Sequence, residues 1–114
     1  MEAVARGATE AGGRVIGIVR GTEVEEANPY CTEVVASGIG QARNLAVVGS
    51  GEVVIAVGGE WGTLSEIALA RTIGRTVVTL DSWGLVGRDA MEGAPGIVSA
   101  DSAAAAVAAA LAAL

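Results

Sequence analysis

VVIAVGGEWGTLSEIALA, residues 53–70, decides the fold. Val53-Val54-Ile55-Ala56-Val57 is uncharged and mostly β-branched, which predicts a strand buried on both faces, as in a parallel sheet. Gly58-Gly59 breaks the run, Gly62-Thr63 follows, and from Leu64 the apolar spacing turns helical through Ile67, Leu69 and Ala70. A strand, a glycine turn and a helix start in close succession aim backbone N–H groups at one spot. That geometry suits a phosphate or carboxylate.

Working outward, the spacing predicts a helix upstream from about Ile39 to Val48, introduced by Ser37-Gly38, with Leu45 and Val48 inward. Arg43 and Asn44 fall in its first two turns. Before it, Glu33-Val34-Val35 reads as a brief strand, and the polar stretch 20–32, broken by Asn28-Pro29, as a loop or lid. Residues 14–19 (RVIGIV) form a further strand candidate, and 1–11 a helix with Val4, Ala8 and Ala11 on one face, ended by Gly12-Gly13. Downstream, Gly74 is a natural residue to end the central helix. Arg75 to Leu80 is the next buried strand, closed by Asp81-Ser82-Trp83-Gly84 with turn chemistry. Residues 87–95 read as a polar connection and Gly96-Ile97-Val98 as a short last strand. Asp101 or Ser102 then caps an alanine-rich helix with Val107, Leu111 and Leu114 as its packed stripe. Strands alternating with helices predict an α/β fold with a parallel sheet.

Composition removes many chemistries. The 114 residues suffice for one domain, and 52% hydrophobic residues with 17 glycines describe a globular chain. A net charge of −6 without a basic block argues against nucleic acid, whose binding needs phosphate neutralisation by Lys and Arg. No apolar run has the length of a membrane span, and no charged-then-apolar leader opens the chain, so the expected setting is cytoplasmic and off the membrane. Histidine is absent, which excludes Ser-His-Asp and Cys-His nucleophile systems and His-containing zinc sites. All seven basic residues are arginines (6, 14, 20, 43, 71, 75 and 88), so there is no Schiff-base or P-loop lysine. Cys31 is the one cysteine, which leaves no intrachain disulfide and no thiolate cluster; no metal site is expected.

Several residues near the turn have two readings. Thr63-Leu64-Ser65-Glu66 fits a capping box, with Thr63 at the N-cap and Glu66 at N3, and this needs no ligand. A carboxylate at that place can equally position water or stabilise an oxocarbenium ion, although glycosidases use two carboxylates and Glu60 is a weak second. Arg43 is either a surface arginine or a bidentate clamp on phosphate or on Glu66. Trp61 either stacks on a base or packs over a loop. Asp81 and Trp83 fall at a carboxyl strand edge, where α/β sheets place ligands, with capping as the plain alternative for Asp81. The glycine spacing is not GxGxxG, which disfavours a dinucleotide.

GIGQARNLAVV (residues 38–48) followed by VVIAVGGEWGTLSEIALA resembles the LOG-like Rossmann superfamily, which includes cytokinin-activating phosphoribohydrolases, molybdenum-cofactor carrier proteins and proteins once labelled lysine decarboxylases. The likeness runs from Met1 to about Trp83, and the ANPY segment and element order are most similar to the carrier branch. The phosphoribohydrolase motif maps its glycines onto Gly58, Gly59 and Gly62, its threonine onto Thr63, its glutamate onto Glu66 and its upstream arginine onto Arg43. Val57 stands where that motif has proline, Glu60-Trp61 makes the interval one residue longer, and Asn44 replaces a lysine. These departures keep the phosphate cradle and weaken the case for hydrolysis. A lysine-decarboxylase activity is excluded by the absence of lysine.

The resemblance implies a Rossmann-like three-layer parallel sheet lacking the family's first strand–helix–strand, because Met1-Glu2-Ala3 matches the inside of a helix that follows those elements. Residues 1–114 are then a single, N-terminally incomplete domain, with no strand to stand between Arg14–Val19 and Val53–Val57. Their edges must pair directly, pair across a dimer or stay exposed. The expected function is a carrier-like protein holding a phosphorylated nucleotide-like or pterin-like ligand, a nucleotide or molybdenum cofactor, on Gly58, Gly59, Gly62, Thr63 and Arg43, with no cofactor required. The alternatives are a nucleoside 5′-monophosphate phosphoribohydrolase with Glu66 and Arg43 catalytic, and an inactive remnant. Relatives of this type also imply a homo-oligomer, a dimer through helices beside the site.

Overall fold

A computed structural model describes residues 1–85 and 94–114; the expected polar connection at 87–95 lies largely outside them, as does Arg88. The elements are α1 (Glu2–Glu10), β1 (Ile16–Val19), β2 (Glu33–Ala36), α2 (Arg43–Ser50), β3 (Val53–Val57), α3 (Trp61–Thr72), β4 (Thr76–Leu80), β5 (Ile97–Ala100) and α4 (Ala103–Ala112). Short 3₁₀ turns at Val24–Glu26 and Gly40–Ala42 interrupt the loops before β2 and α2. The chain is α/β with every strand pairing parallel. It divides into two compact units, Met1–Ala46 and Val47–Leu114, the boundary falling within α2.

In the first unit β1 pairs with β2, Ile16 opposite Glu33 through Val19 opposite Ala36. Arg14 closes the start of this ladder with paired 2.8 Å hydrogen bonds from Nε and Nη2 to the Glu33 carboxylate. Both groups are exposed, so the ion pair is worth at most about 1 kcal/mol. Helix α1 ends at Gly12, whose φ of +81° lets Gly12 N–H reach Thr9 O and Gly13 N–H reach Ala8 O, the paired bonds of a Schellman stop. The buried face of α1 is Ala5 with Ala8 and Thr9 beside it, and Thr9 Oγ1 donates to Tyr30 O at 2.7 Å. Val4, expected inward, is 51% exposed.

In the second unit β4 is central, between β3 and β5, and its Val77, Val78 and Thr79 are buried. The pleat sends alternate residues to opposite faces. Val77 joins Val48, Ala56, Ile67 and Ala70 on the α3 side, with Val54 and Leu69 packed around them. Val78 joins Ala106 and Ala110 of α4, with Val53, Leu80 and Ala100 around them. This unit therefore has the expected three layers.

Three further packing expectations fail. β3 was expected to be buried on both faces, but it is an edge strand of its sheet, and Ile55 and Val57 are 40% and 45% exposed because the helices cover only part of its length. Leu45 is exposed and Asn44 is buried instead, because Asn44 stands four residues before the buried Val48 and so shares its helix face. Helix α4 packs through Ala106 and Ala110, leaving Val107, Leu111 and Leu114 exposed. Alanines bring the helix close to the sheet, and the larger side chains fit only on the outer side. Of the outcomes left open for the facing edges, direct pairing does not occur: β1–β2 forms one ladder and β3–β4–β5 another, and among the described residues no strand pairs with the other edge of either.

Candidate functional site

The parallel register decides what gathers at the end of β3. Val57 lies opposite Leu80, so the residues after each strand emerge at one carboxyl edge of the sheet. Gly58 N–H donates to Leu80 O at 3.0 Å, and the chain then turns through φ values of +56° at Gly58 and +100° at Gly59. Only glycine holds such angles cheaply. At Gly59 space also forbids a side chain, since a Cβ would collide with Thr63, which folds back over it. Helix α3 begins directly afterwards.

Here the capping-box expectation is overturned. Glu60 is the N-cap, with extended backbone and no side-chain cap bond, and Trp61 is the first helical residue. Thr63 therefore occupies N3 rather than the N-cap, and Glu66 lies well inside the helix, where it cannot bond the N-cap amide. Leu64 N–H makes the first intrahelical bond, to Glu60 O at 3.1 Å. The amides of Trp61, Gly62 and Thr63 precede it and point out of the helix end, where the dipole favours an anion. Outside the helix's own backbone, nothing lies within 4 Å of a Cβ placed at Gly62, so the first turn faces open space there. Gly58, Gly59, Gly62 and Thr63 are thus brought together. Glu66 is half-buried and follows Gly62 by one helical turn, on the same face.

The turn after β4 fastens this arrangement. Ser82 Oγ donates to Gly58 O at 2.6 Å, and Trp83 Nε1 donates to Glu60 O at 3.0 Å. Asp81 permits this by adopting φ +48°, a left-handed conformation that Asp tolerates better than most residues. Trp83 also packs against the α3-side core, and the Trp61 ring stands 4.9 Å from it at 38°. Sequence reasoning placed Asp81 and Trp83 at this edge but missed Ser82. The usable signal is the register: once Val57 and Leu80 are paired, Gly58 and Ser82 are neighbours.

Arg43 belongs to the first unit, at the start of α2. Its Nη1 donates to Ile18 O in β1 at 3.0 Å, and its Nε is buried without a hydrogen-bond partner. Among the described residues no group of three or more His, Cys, Asp or Glu could hold a metal ion. None of the helices described is long and apolar enough to cross a membrane.

A model of the SLOG cluster4 family matches residues 1–110, beyond the Met1–Trp83 stretch that carries the sequence resemblance. An uncharacterized protein of Archaeoglobus fulgidus is 40% identical over 80 residues, 70% of this chain and 52% of that protein. The chain thus spans about half the length of this curated relative. The solved structure of the molybdenum cofactor binding protein from the phototrophic bacterium Rippkaea orientalis superposes with a TM-score of 0.82 at 29% identity, over 96% of this chain and 68% of that one. A structural-genomics target, TM1055, gives a TM-score of 0.75 at 29% identity, over 95% of this chain and 69% of its own.

Proposed function

The chain belongs to the SLOG cluster4 family, within the LOG-like superfamily, and on that premise we propose that it binds a phosphorylated nucleotide-like or pterin-like ligand at the Gly58–Thr63 turn. The observation that carries this reading is the start of α3. Two left-handed glycines deliver the chain to a helix that has no side-chain cap, so the first-turn amides are available to phosphate oxygens. Support also comes from the likeness to a protein named for molybdenum cofactor binding. The donor set fits the phosphate end of such a ligand, with amides of Trp61, Gly62 and Thr63 and the Thr63 hydroxyl as partners. Arg43 enters the proposal through the resemblance alone, as an additional cation for the phosphate.

The reading is of a binding protein, carrier-like in function. Titration calorimetry with AMP is expected to give saturable binding without release of free adenine, and Arg43→Gln is expected to weaken it. Binding of AMP by the Arg43→Gln variant at wild-type strength would remove Arg43 from the site. By the same resemblance the protein forms a homo-oligomer, and light scattering at the 11.2 kDa mass of one chain would contradict that.

One observation favours a second reading. Glu66 lies one helical turn after Gly62, on the same face of α3. In a phosphoribohydrolase, water adds to C1′ of the ribosyl group, the N-glycosidic bond breaks, and the base leaves with a proton. The products are the free base and ribose 5-phosphate, with Glu66 positioning the water. Adenine released from AMP and abolished by Glu66→Ala would establish this reading over the carrier. A folded sample that binds no phosphorylated ligand would leave the inactive remnant.

A further inference from the structure

Both tryptophans of the chain meet at the phosphate turn, Trp61 on the first residue of α3 and Trp83 on the turn after β4. Their environments differ. Trp83 is half-buried against the core cluster of Val48, Ala56, Ile67, Ala70 and Val77, and its indole N–H is committed to Glu60 O. Trp61 is 73% exposed, the most exposed large apolar side chain after Met1 among the described residues. A tryptophan kept for packing would bury its ring, since its value to a core lies in the area removed from water. This one is instead supported by Trp83 from one side and presents most of its surface to solvent.

We propose that Trp61 is a specificity-determining residue, an aromatic shelf that selects a planar heteroaromatic ring attached to the phosphate held at Gly58–Thr63; this rests on the phosphate reading above. Trp83 is the positioning residue. Its ring carries Trp61, and its hydrogen bond to Glu60, the residue immediately before Trp61, sets the shelf relative to the turn. Because both supports are made within the protein, the shelf is ordered before a ligand arrives, which lowers the cost of binding. Stacking accepts any flat π-face, so it selects for a nucleobase- or pterin-like ring without reading its hydrogen-bonding edge. The substrate class is therefore a phosphorylated compound with a flat ring system, and the sugar phosphate alone is a poor ligand.

The test compares AMP with ribose 5-phosphate by titration calorimetry on the full chain, wild type and Trp61→Ala, with far-UV circular dichroism as the folding check. AMP is expected to bind about tenfold or more tighter than ribose 5-phosphate, the scale of one base–aromatic stack. Trp61→Ala is expected to lower AMP affinity to that of ribose 5-phosphate and to leave ribose 5-phosphate unaltered. AMP is also expected to quench the intrinsic fluorescence, which in this chain comes from Trp61 and Trp83 and the single tyrosine. Trp83→Phe, which keeps a ring but loses the bond to Glu60, is expected to weaken both ligands while AMP remains preferred. Equal affinity of the wild type for the two ligands, or an equal loss of both in Trp61→Ala, overturns the shelf and leaves the phosphate reading standing. A Trp61→Ala variant that changes mass in light scattering with an unaltered ligand preference assigns the ring to an interface between copies, which also overturns it. A folded wild type that binds neither ligand overturns the phosphate reading and the shelf together.

Discussion

Gly59 and Gly62 lack side chains for different physical reasons, and substitution separates them. Gly59 needs a left-handed backbone and has the Thr63 side chain where its Cβ would stand. Gly59→Ala is therefore expected to lower stability by about 1–3 kcal/mol, read from urea unfolding. Gly62 is an ordinary helical residue with open space in front of it. Alanine is the better helix former by up to about 1 kcal/mol, so Gly62→Ala is expected to unfold no more easily than wild type. A methyl group there adds bulk at the turn proposed to hold the phosphate, and AMP affinity is expected to fall about tenfold or more. Wild-type AMP binding by Gly62→Ala would mean that the first-turn amides do not hold the phosphate. The motif positions were legible in the sequence, but not which of the two glycines the backbone requires and which it does not. That distinction depends on φ and on where Thr63 folds.

Helix ends show the same division at the scale of elements. Helix α3 stops at Gly74, φ +81°, with Gly74 N–H bonded to Arg71 O and Arg75 N–H to Ala70 O, the same stop that ends α1. Gly74→Ala is expected to cost about 1–2 kcal/mol, because the left-handed residue acquires a Cβ. Helix α4 starts on Ser102, whose side-chain oxygen accepts from Ala105 N–H at 3.0 Å, and Ser102→Ala is expected to cost about 1 kcal/mol. Thermal or urea unfolding measures both; no change in either would deny the cap its role. These signals are local, a glycine after the last turn or a serine before the first, and they were readable beforehand. The start of α3 was not. Thr63 with Glu66 offers a cap on spacing alone, and only the turn at Gly58-Gly59 and the clamp from Ser82 and Trp83 bring the helix start forward to Trp61. The packed face of α4 was unreadable for another reason. From Ala103 to Leu114 every residue is apolar, so there is no polar side to define an inward one.

For the whole molecule, the buried apolar residues are unevenly shared. Among the described residues only Ala5 belongs to the first unit, whereas Val48, Ala56, Ile67, Ala70, Val77, Val78, Ala106 and Ala110 belong to the second. A small unit with little buried area is marginally stable, and its backbone opens at low free energy. Hydrogen exchange is accordingly expected to be fastest in β1 and β2 and slowest in β4, whose Val77 and Val78 are fully buried between α3 and α4. Equal protection of β1 and β4 would show that the first unit draws stability from contacts beyond its own core.

By itself the sequence determined the element order, the parallel α/β class, the position of the glycine turn and the chemistries ruled out by the absence of His and Lys. Each of these follows from local composition or period, which neighbouring residues carry without knowledge of the rest of the chain. Tertiary structure alone decided that the strands form two sheets, that Glu66 is no cap, and that Ser82 and Trp83 hold the turn from across the β3–β4 ladder. Those outcomes depend on pairing between residues far apart in the chain. The turn that opens α3 takes its shape from the strand that follows the helix.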